Sequence, residues 1–171
     1  MEIAGNKVVL RPVEEQDREM LMNLVADPEI VKVTGGYFST SSGDLQMNWL
    51  RAMSNSPESL YEVIADRDNP RMALGIIILS HDKEERGKGE LYIKLMNSAR
   101  KKGYGEDAVN TLVSHAFCEQ GINCIYSNIL EDNTASRRLF EKCHFKQEGV
   151  YKSSICKNGY YKNVCIYRIR R

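Results

Sequence analysis

The sequence predicts one α/β domain over residues 1–171, a mixed β-sheet flanked by helices. Three observations carry that prediction. Between residues 90 and 129 the pattern runs strand, glycine loop, helix, strand, and such a unit joins two parallel strands by a right-handed crossover. Two other stretches, residues 66–70 and Asn158-Gly159, are hairpin turns, which demand antiparallel neighbours. A chain of this length hides roughly 70% of its extended-chain surface on folding, enough for one core.

The elements follow in order. Residues 8–11 form a short apolar strand closed by Pro12, after which Met20, Leu21, Leu24 and Val25 recur at helical spacing until Asp27-Pro28 stops them. Residues 39–44 are a hydroxyl-rich turn that caps a helix with Leu45, Trp49, Leu50 and Met53 on one face, ending near Pro57. Residues 60–65 and 72–79 are a hairpin, and the charged loop 81–89 leads into a strand over 90–96. In that strand Glu90, Tyr92 and Lys94 alternate with Leu91, Ile93 and Leu95, which gives it one polar and one apolar face. Beyond the glycine loop, Ala108, Leu112, Val113, Ala116 and Phe117 make a single helical stripe that Gly121 terminates. Residues 122–129 are a strand. Asn133 caps a further helix with Ala135, Leu139 and Phe140 inward to about Cys143, and strands 147–155 and 160–169 flank Asn158-Gly159.

Composition narrows the function. With 24 Lys+Arg against 23 Asp+Glu, the net charge of +1 lacks the global field of a nucleic-acid binder. The longest apolar run, 72–79, is far short of the ~20 residues that span a bilayer. No basic segment followed by an apolar one opens the chain, so no membrane association and a cytoplasmic location are expected. Cys118, Cys124, Cys143, Cys156 and Cys165 are odd in number and include no C-x-x-C pair; with His81, His115 and His144 as the remaining soft ligands, free thiols and no metal are expected.

The residues Arg100, Lys101, Lys102, Gly103, Tyr104 and Gly105 sit where a strand becomes a helix. Backbone N–H groups and a helix N-terminus converge there on an anion, basic side chains add charge, and the two glycines let backbone approach a ligand. By itself such a loop is equally a basic tight turn. Residues 86–89 look similar but precede a strand and offer no helix N-terminus, so they read as a hairpin turn. Neither cluster satisfies the phosphate-transfer loop or the dinucleotide fingerprint.

Arg100-x-x-Gly103-x-Gly105 resembles the acyl-CoA pyrophosphate loop of the GNAT family of N-acetyltransferases. Asn133, Ser136, Phe140, Glu141, Lys142 and Phe145 resemble that family's N-x-x-[AS]-x-x-x-[YF]-E-K-x-G-F helix motif, and Glu90-Leu91-Tyr92 resembles its fourth strand. The resemblance covers nearly the whole chain. Leu10-Arg11-Pro12 and the Asn158-Gly159 hairpin are similar to the subgroup with ribosomal-protein alanine, polyamine and nucleotide-amino-sugar acetyltransferases.

The resemblance implies a V-shaped splay between the parallel strands at 90–96 and 122–129, in which the pantetheine of acetyl-CoA lies like an extra strand. It implies a thioester-polarising N–H at Leu95 or Met96, contacts from Asn133, Ser136 and Phe140, and Glu90 as a base that acts directly or, more often, through water; the other reading of Glu90 is a residue that ends a hairpin or orders the cleft. Phe140 departs from the tyrosine many relatives use as acid, which leaves Tyr126, Ser136, water or an unassisted thiolate. Cys143 and His144 are adjacent on a helix and form no dyad, and His81 and His115 read as structural or solvated. Tyr37, Phe38 and Trp49, beside Gly35-Gly36, fall where the family closes over its acceptor, and Arg168, Arg170 and Arg171 read as a solvated basic tail. The expected activity is acetyl transfer to a primary amine in a ternary complex. A protein N-terminus leads as acceptor, with an amino sugar on a nucleotide and a polyamine behind it. A CoA-binding sensor without turnover is the alternative of another class, and a homodimer is left open.

Overall fold

The computed structural model describes residues 2–33, 59–157 and 159–171. The helix expected around Leu45, Trp49, Leu50 and Met53, the acceptor candidates Tyr37 and Phe38 with Gly35-Gly36, and Asn158 of the last turn lie outside the described residues. The chain runs β1 (Ile3–Ala4), β2 (Val8–Arg11), α1 (Arg18–Ala26), α2 (Pro28–Val33), β3 (Ser59–Asp66), β4 (Ala73–His81) and β5 (Lys88–Leu95). It continues with α3 (Tyr104–Glu119), β6 (Cys124–Leu130), α4 (Thr134–Lys142), β7 (Lys146–Lys157) and β8 (Tyr160–Arg170). Short 3-10 turns occupy Glu15–Asp17 and Asn97–Ala99.

The strands make one sheet in the order β1-β2-β3-β4-β5-β6-β8-β7, with β5 and β6 parallel and the other pairs antiparallel. This is the mixed sheet the sequence predicts. One face, carrying Leu10, Ile64, Ile77, Leu79, Leu91 and Ile125, packs under Ala108, Leu112 and Ala116 of α3 and Phe140 of α4. The other face, with Val63, Ile76 and Ile78, packs against Met20, Leu21 and Leu24 of α1 and Ile30 of α2.

Four elements depart from expectation. Pro28 ends α1 but opens α2 as its first residue, where a missing N–H is harmless, and Asp27 Oδ1 accepts the Glu29 N–H at 2.9 Å. The strand expected at 90–96 begins at Lys88 and ends at Leu95, and that expected at 122–129 begins at Cys124. Arg168 and Arg170, expected as a solvated tail, belong to β8 and pair with Glu148 of β7; these ion pairs hold the Glu148 carboxyl down at about 2.

Two polar braces fix the sheet edge. Arg11 and Asp17 form a buried two-bond ion pair of 2.7 and 2.8 Å, and Arg11 Nε also donates to the Pro70 carbonyl at 2.9 Å. Asp107, in the first turn of α3, accepts the N–H groups of Asn6, Lys7 and Val8 at 3.2, 2.7 and 3.0 Å, which ties the β1–β2 turn to the start of that helix.

Helix α4 ends through a left-handed residue that is not glycine. His144 has φ +67°, with its N–H on Glu141 O at 3.1 Å and the Phe145 N–H on Phe140 O at 3.0 Å. The motif quoted above has glycine at that position, and a side chain there costs roughly 1 to 2 kcal/mol. His144→Gly should therefore raise the melting temperature by roughly 2–4 °C, as expected for ~1 kcal/mol in a chain of this size. An unchanged or lower melting temperature in a thermal scan would show that the imidazole offsets the strain.

Candidate active site

The site begins where two strands part. β5 and β6 pair only at Lys88–Cys124, Gly89–Ile125 and Glu90–Tyr126. Past that point β5 stays on β4 as far as Gly75–Leu95, while β6 stays on β8 as far as Leu130–Val164. At the branch, buried Ser127 donates its hydroxyl to the Leu91 carbonyl at 2.9 Å, supplying the partner that β6 backbone no longer provides.

Strand alternation decides which groups face the opening. Asp82 N–H bonds Lys88 O at 2.8 Å and Met96 N–H bonds Leu74 O at 2.9 Å, which sets the Glu90, Tyr92, Lys94 and Met96 amides toward β4. The Ile93 and Leu95 amides therefore point to the side β6 has left. Of the two donors expected for a thioester, Leu95 faces the gap and Met96 is held by β4. Ile93 joins Leu95; the alternation of the strand was the signal for it. The Leu95 carbonyl accepts from Arg100 Nε and Nη2 at 3.2 and 3.1 Å.

A cavity of about 540 Å³ passes through the gap. Asn133, Ser136 and Phe140 line it from α4, Ile93 and Ser127 at the parting strands, and Glu90, Tyr92 and Lys94 on the polar face of β5. Glu90 Oε1 accepts from Asn128 Nδ2 at 3.0 Å, so the carboxylate is aimed by a side chain of the neighbouring strand. Asn133 Oδ1 accepts the Ser136 N–H at 3.2 Å and caps α4, as expected from sequence. Phe140 is 2% exposed and meets Phe145 edge-on at 4.9 Å, leaving an apolar wall on the cavity. Leu95, Met96 and the loop residues 100–105 stand outside the cavity lining.

The loop has its own geometry. Lys101 and Gly103 are left-handed, at φ +60° and +84°, and the first helical bond of α3 runs from Asp107 N–H to Gly103 O at 3.1 Å. The N–H groups of Tyr104, Gly105 and Glu106 thus have no partner within the helix, the usual basis of an anion site. Lys101 and Lys102 are exposed beside them. The glycines also answer to contacts within the chain. A Cβ on Gly105 would lie 3.0 Å from Leu95 Cδ1 and 3.4 Å from Leu139 Cδ2, so its absence seats the helix on the core. A Cβ on Gly103 would lie 2.8 Å from Lys7 Nζ, which donates to Lys102 O at 3.1 Å. Lys7 is a loop residue that sequence reasoning missed.

Two loop side chains are turned to structural work. Arg100 ion-pairs with Asp27 at 2.7 Å and with Glu29, which points its guanidinium at the α1–α2 junction. The Tyr104 hydroxyl donates to Asp66 Oδ2 at 2.8 Å; that bond holds the Asp66 carboxyl below the usual range and pushes the phenol up.

The alternative acids are arranged differently. Tyr126 hydrogen-bonds Asp82 at 3.4 Å outside the cavity, and burial pushes its phenol up to about 12. Cys143 is 1% exposed with its thiol pushed up to about 12 by burial, which makes it inert. His115 lies 3.3 Å from Gln120 Nε2 on the far stretch of α3. Ser127 and Asn128 were missed, although a hydroxyl between inward Ile125 and Ile129 was a visible signal. Among the described residues, no group of three or more His, Cys, Asp or Glu is placed to hold a metal ion, and no helix is long and apolar enough to cross a membrane.

A protein-family model described as an acetyltransferase (GNAT) domain matches residues 7–146. The uncharacterized N-acetyltransferase YoaA of Bacillus subtilis is 22% identical over 166 residues, covering 96% of this chain and 93% of that protein. The crystal structure of spermidine N-acetyltransferase from Vibrio cholerae in complex with CoA and spermine superposes with a TM-score of 0.84 at 20% identity, covering 96% of this chain and 95% of that one. RimL, a ribosomal L7/L12 alpha-N-protein acetyltransferase solved with coenzyme A, superposes with a TM-score of 0.85 at 17% identity, covering 99% of this chain and 98% of that one.

The Arg100–Asp27 contact is testable directly. Urea unfolding of Arg100→Met, Asp27→Asn and the double variant should give a coupling energy of about 1 kcal/mol, the scale of a partly exposed, well-aligned pair. Strictly additive losses would show that the ion pair holds nothing.

Proposed function

The chain belongs to the acetyltransferase (GNAT) domain family and is an N-acetyltransferase, and on that premise we propose that it moves the acetyl group of acetyl-CoA to a protein N-terminus by direct attack in a ternary complex. The observation that carries this reading is the opening of β5 from β6, with the Ile93 and Leu95 amides turned toward the gap and a cavity lined by Ile93 passing through it. A pantetheine chain carries amides at strand-like spacing and supplies the partners that β6 withholds. The solved relatives bound to CoA support the same cosubstrate here. Its pyrophosphate falls to the amides of Tyr104, Gly105 and Glu106, with Lys101 and Lys102 adding charge, and Asn133, Ser136 and Phe140 border the arm.

The chemistry then divides among few groups. The Leu95 or Ile93 N–H polarises the thioester carbonyl and stabilises the oxyanion that forms on it. Glu90 takes the amine proton. Strand rise of ~3.3 Å per residue puts it about 10 Å from Ile93 along β5, so the proton travels to it through a chain of waters. Phe140 keeps the thioester side dry and donates nothing. The leaving CoA thiolate, with a thiol pKa near the ordinary ~8.5, takes its proton from water.

The acceptor follows from charge. Among the described lining residues Glu90 and Lys94 are the charged ones, a balanced pair, and Lys94 opposes a polycation such as spermidine. A peptide N-terminus brings one amine and a chain of backbone polar groups, which suits one carboxylate and a partly apolar wall. An amino sugar on a nucleotide is the second acceptor. Residues 1–171 form a single acetyltransferase domain in this reading, since β7 and β8 extend the same sheet beyond the family match. Five free cysteines suit a reducing cytoplasm.

Thiol release from acetyl-CoA, followed with a peptide bearing a free N-terminus, spermidine and a nucleotide amino sugar, tests the reading. The peptide should support the fastest release; release with none of them while acetyl-CoA still binds would establish a sensor. Glu90→Gln should lower kcat by roughly 10² to 10⁴ at neutral pH with acetyl-CoA affinity retained, the range expected for loss of a general base. An unchanged pH–rate profile would assign Glu90 a purely structural role.

A further inference from the structure

The cavity contains an amine of its own. Lys94 lines it on the face of β5 shared by Glu90 and Tyr92, and its Cα lies between those of Ile93 and Leu95, ~3.8 Å from each. The two amides nearest to it in the chain are thus the ones turned into the gap. A thioester carbonyl held by either lies beside the root of the lysine stem, whereas Glu90 is four residues upstream, about 13 Å at ~3.3 Å per residue. The opposing strand position is Ile76, and Tyr61 and Ile78 line the same wall.

Resting on the reading that acetyl-CoA occupies the β5–β6 gap, we propose that Lys94 is a cis-acetylation site of this enzyme. The neutral Lys94 Nζ attacks the acetyl carbonyl of the bound cosubstrate; the C–N bond forms as the C–S bond breaks, and the amine proton passes through water to the departing CoA sulfur. The products are Nε-acetyl-lysine at position 94 and free coenzyme A. No oxidant or further reactant enters the balance.

The surroundings favour this amine over others. Burial pulls the Lys94 ammonium down to about 8, so its neutral, nucleophilic fraction exceeds that of an ordinary lysine with a pKa near ~10.4. Lys101 and Lys102 on the loop are exposed and lie outside the cavity. Acetylation removes the cation from that face of the cavity and places a neutral amide there.

The test uses the full chain incubated with acetyl-CoA and no added amine, with intact mass and peptide mapping over time. One acetyl group per chain should accumulate at Lys94 at least tenfold faster than at Lys101 or Lys102, and excess coenzyme A should suppress it. In Lys94→Arg the fast adduct should vanish, with a circular dichroism melt confirming that the variant is folded. Acetyl-CoA binding and amine-dependent thiol release with Lys94 unmodified, or modified no faster than the exposed lysines, would overturn the proposal and leave the acetyltransferase reading standing. Failure of acetyl-CoA to bind at all would overturn both.

Discussion

A strand can keep only as many partners as its direction allows. β5 follows β4 and β6 follows β8 over their full lengths, and the parallel pairing between β5 and β6 survives for three residue pairs before the two diverge. Everything distinctive about the site descends from that divergence. A buried amide or carbonyl without a partner costs about 1 to 3 kcal/mol, so each group facing the opening needs an answer. The chain answers two of them itself, with the Ser127 hydroxyl on Leu91 O and the Arg100 guanidinium on Leu95 O. The Ile93 and Leu95 amides face the opening with no strand beside them, and in the proposed reading the carbonyls of pantetheine are their partners.

The opening is useful only if its rims stay put. Three polar contacts hold them, and each joins elements far apart in the chain. Asp107 gathers the amides of the β1–β2 turn onto the first turn of α3, Tyr104 ties the same turn to Asp66 at the end of β3, and Arg100 links the end of β5 to the α1–α2 junction. Gly105 completes the frame by letting the helix start settle on Leu95 and Leu139. The loop at residues 100–105 is therefore braced from outside the cavity. Arg100 also connects the end of β5 to Asp27 and Glu29, which ties the strand end to the helix pair over the opposite sheet face.

Much of this was readable locally. The polar and apolar faces of β5, the crossover through α3, the cap at Asn133 and the inert burial of Cys143 all follow from periodicity or capping chemistry within a few residues. What escaped reading depends on partners distant in sequence. Arg100 looks like a phosphate ligand until Asp27 and Glu29, 73 and 71 residues away, claim its guanidinium. Met96 looks equivalent to Leu95 until the register on β4 decides which amide faces outward. Gly105 reads as room for a ligand, and the packing of Leu95 and Leu139 shows that it makes room for the core as well. Ser127 was a polar residue at an inward position, and such a residue within an apolar strand marks the point where pairing fails.

Amide hydrogen exchange with and without acetyl-CoA measures the central claim at the atoms concerned. In the apo protein the Ile93 and Leu95 amides should exchange faster than those of Tyr92 and Lys94, which bond to β4, and saturating acetyl-CoA should slow them selectively by tenfold or more. Ile93 and Leu95 amides already as protected as their neighbours, or unaltered by bound acetyl-CoA, would mean that the gap between β5 and β6 is not where the cosubstrate lies.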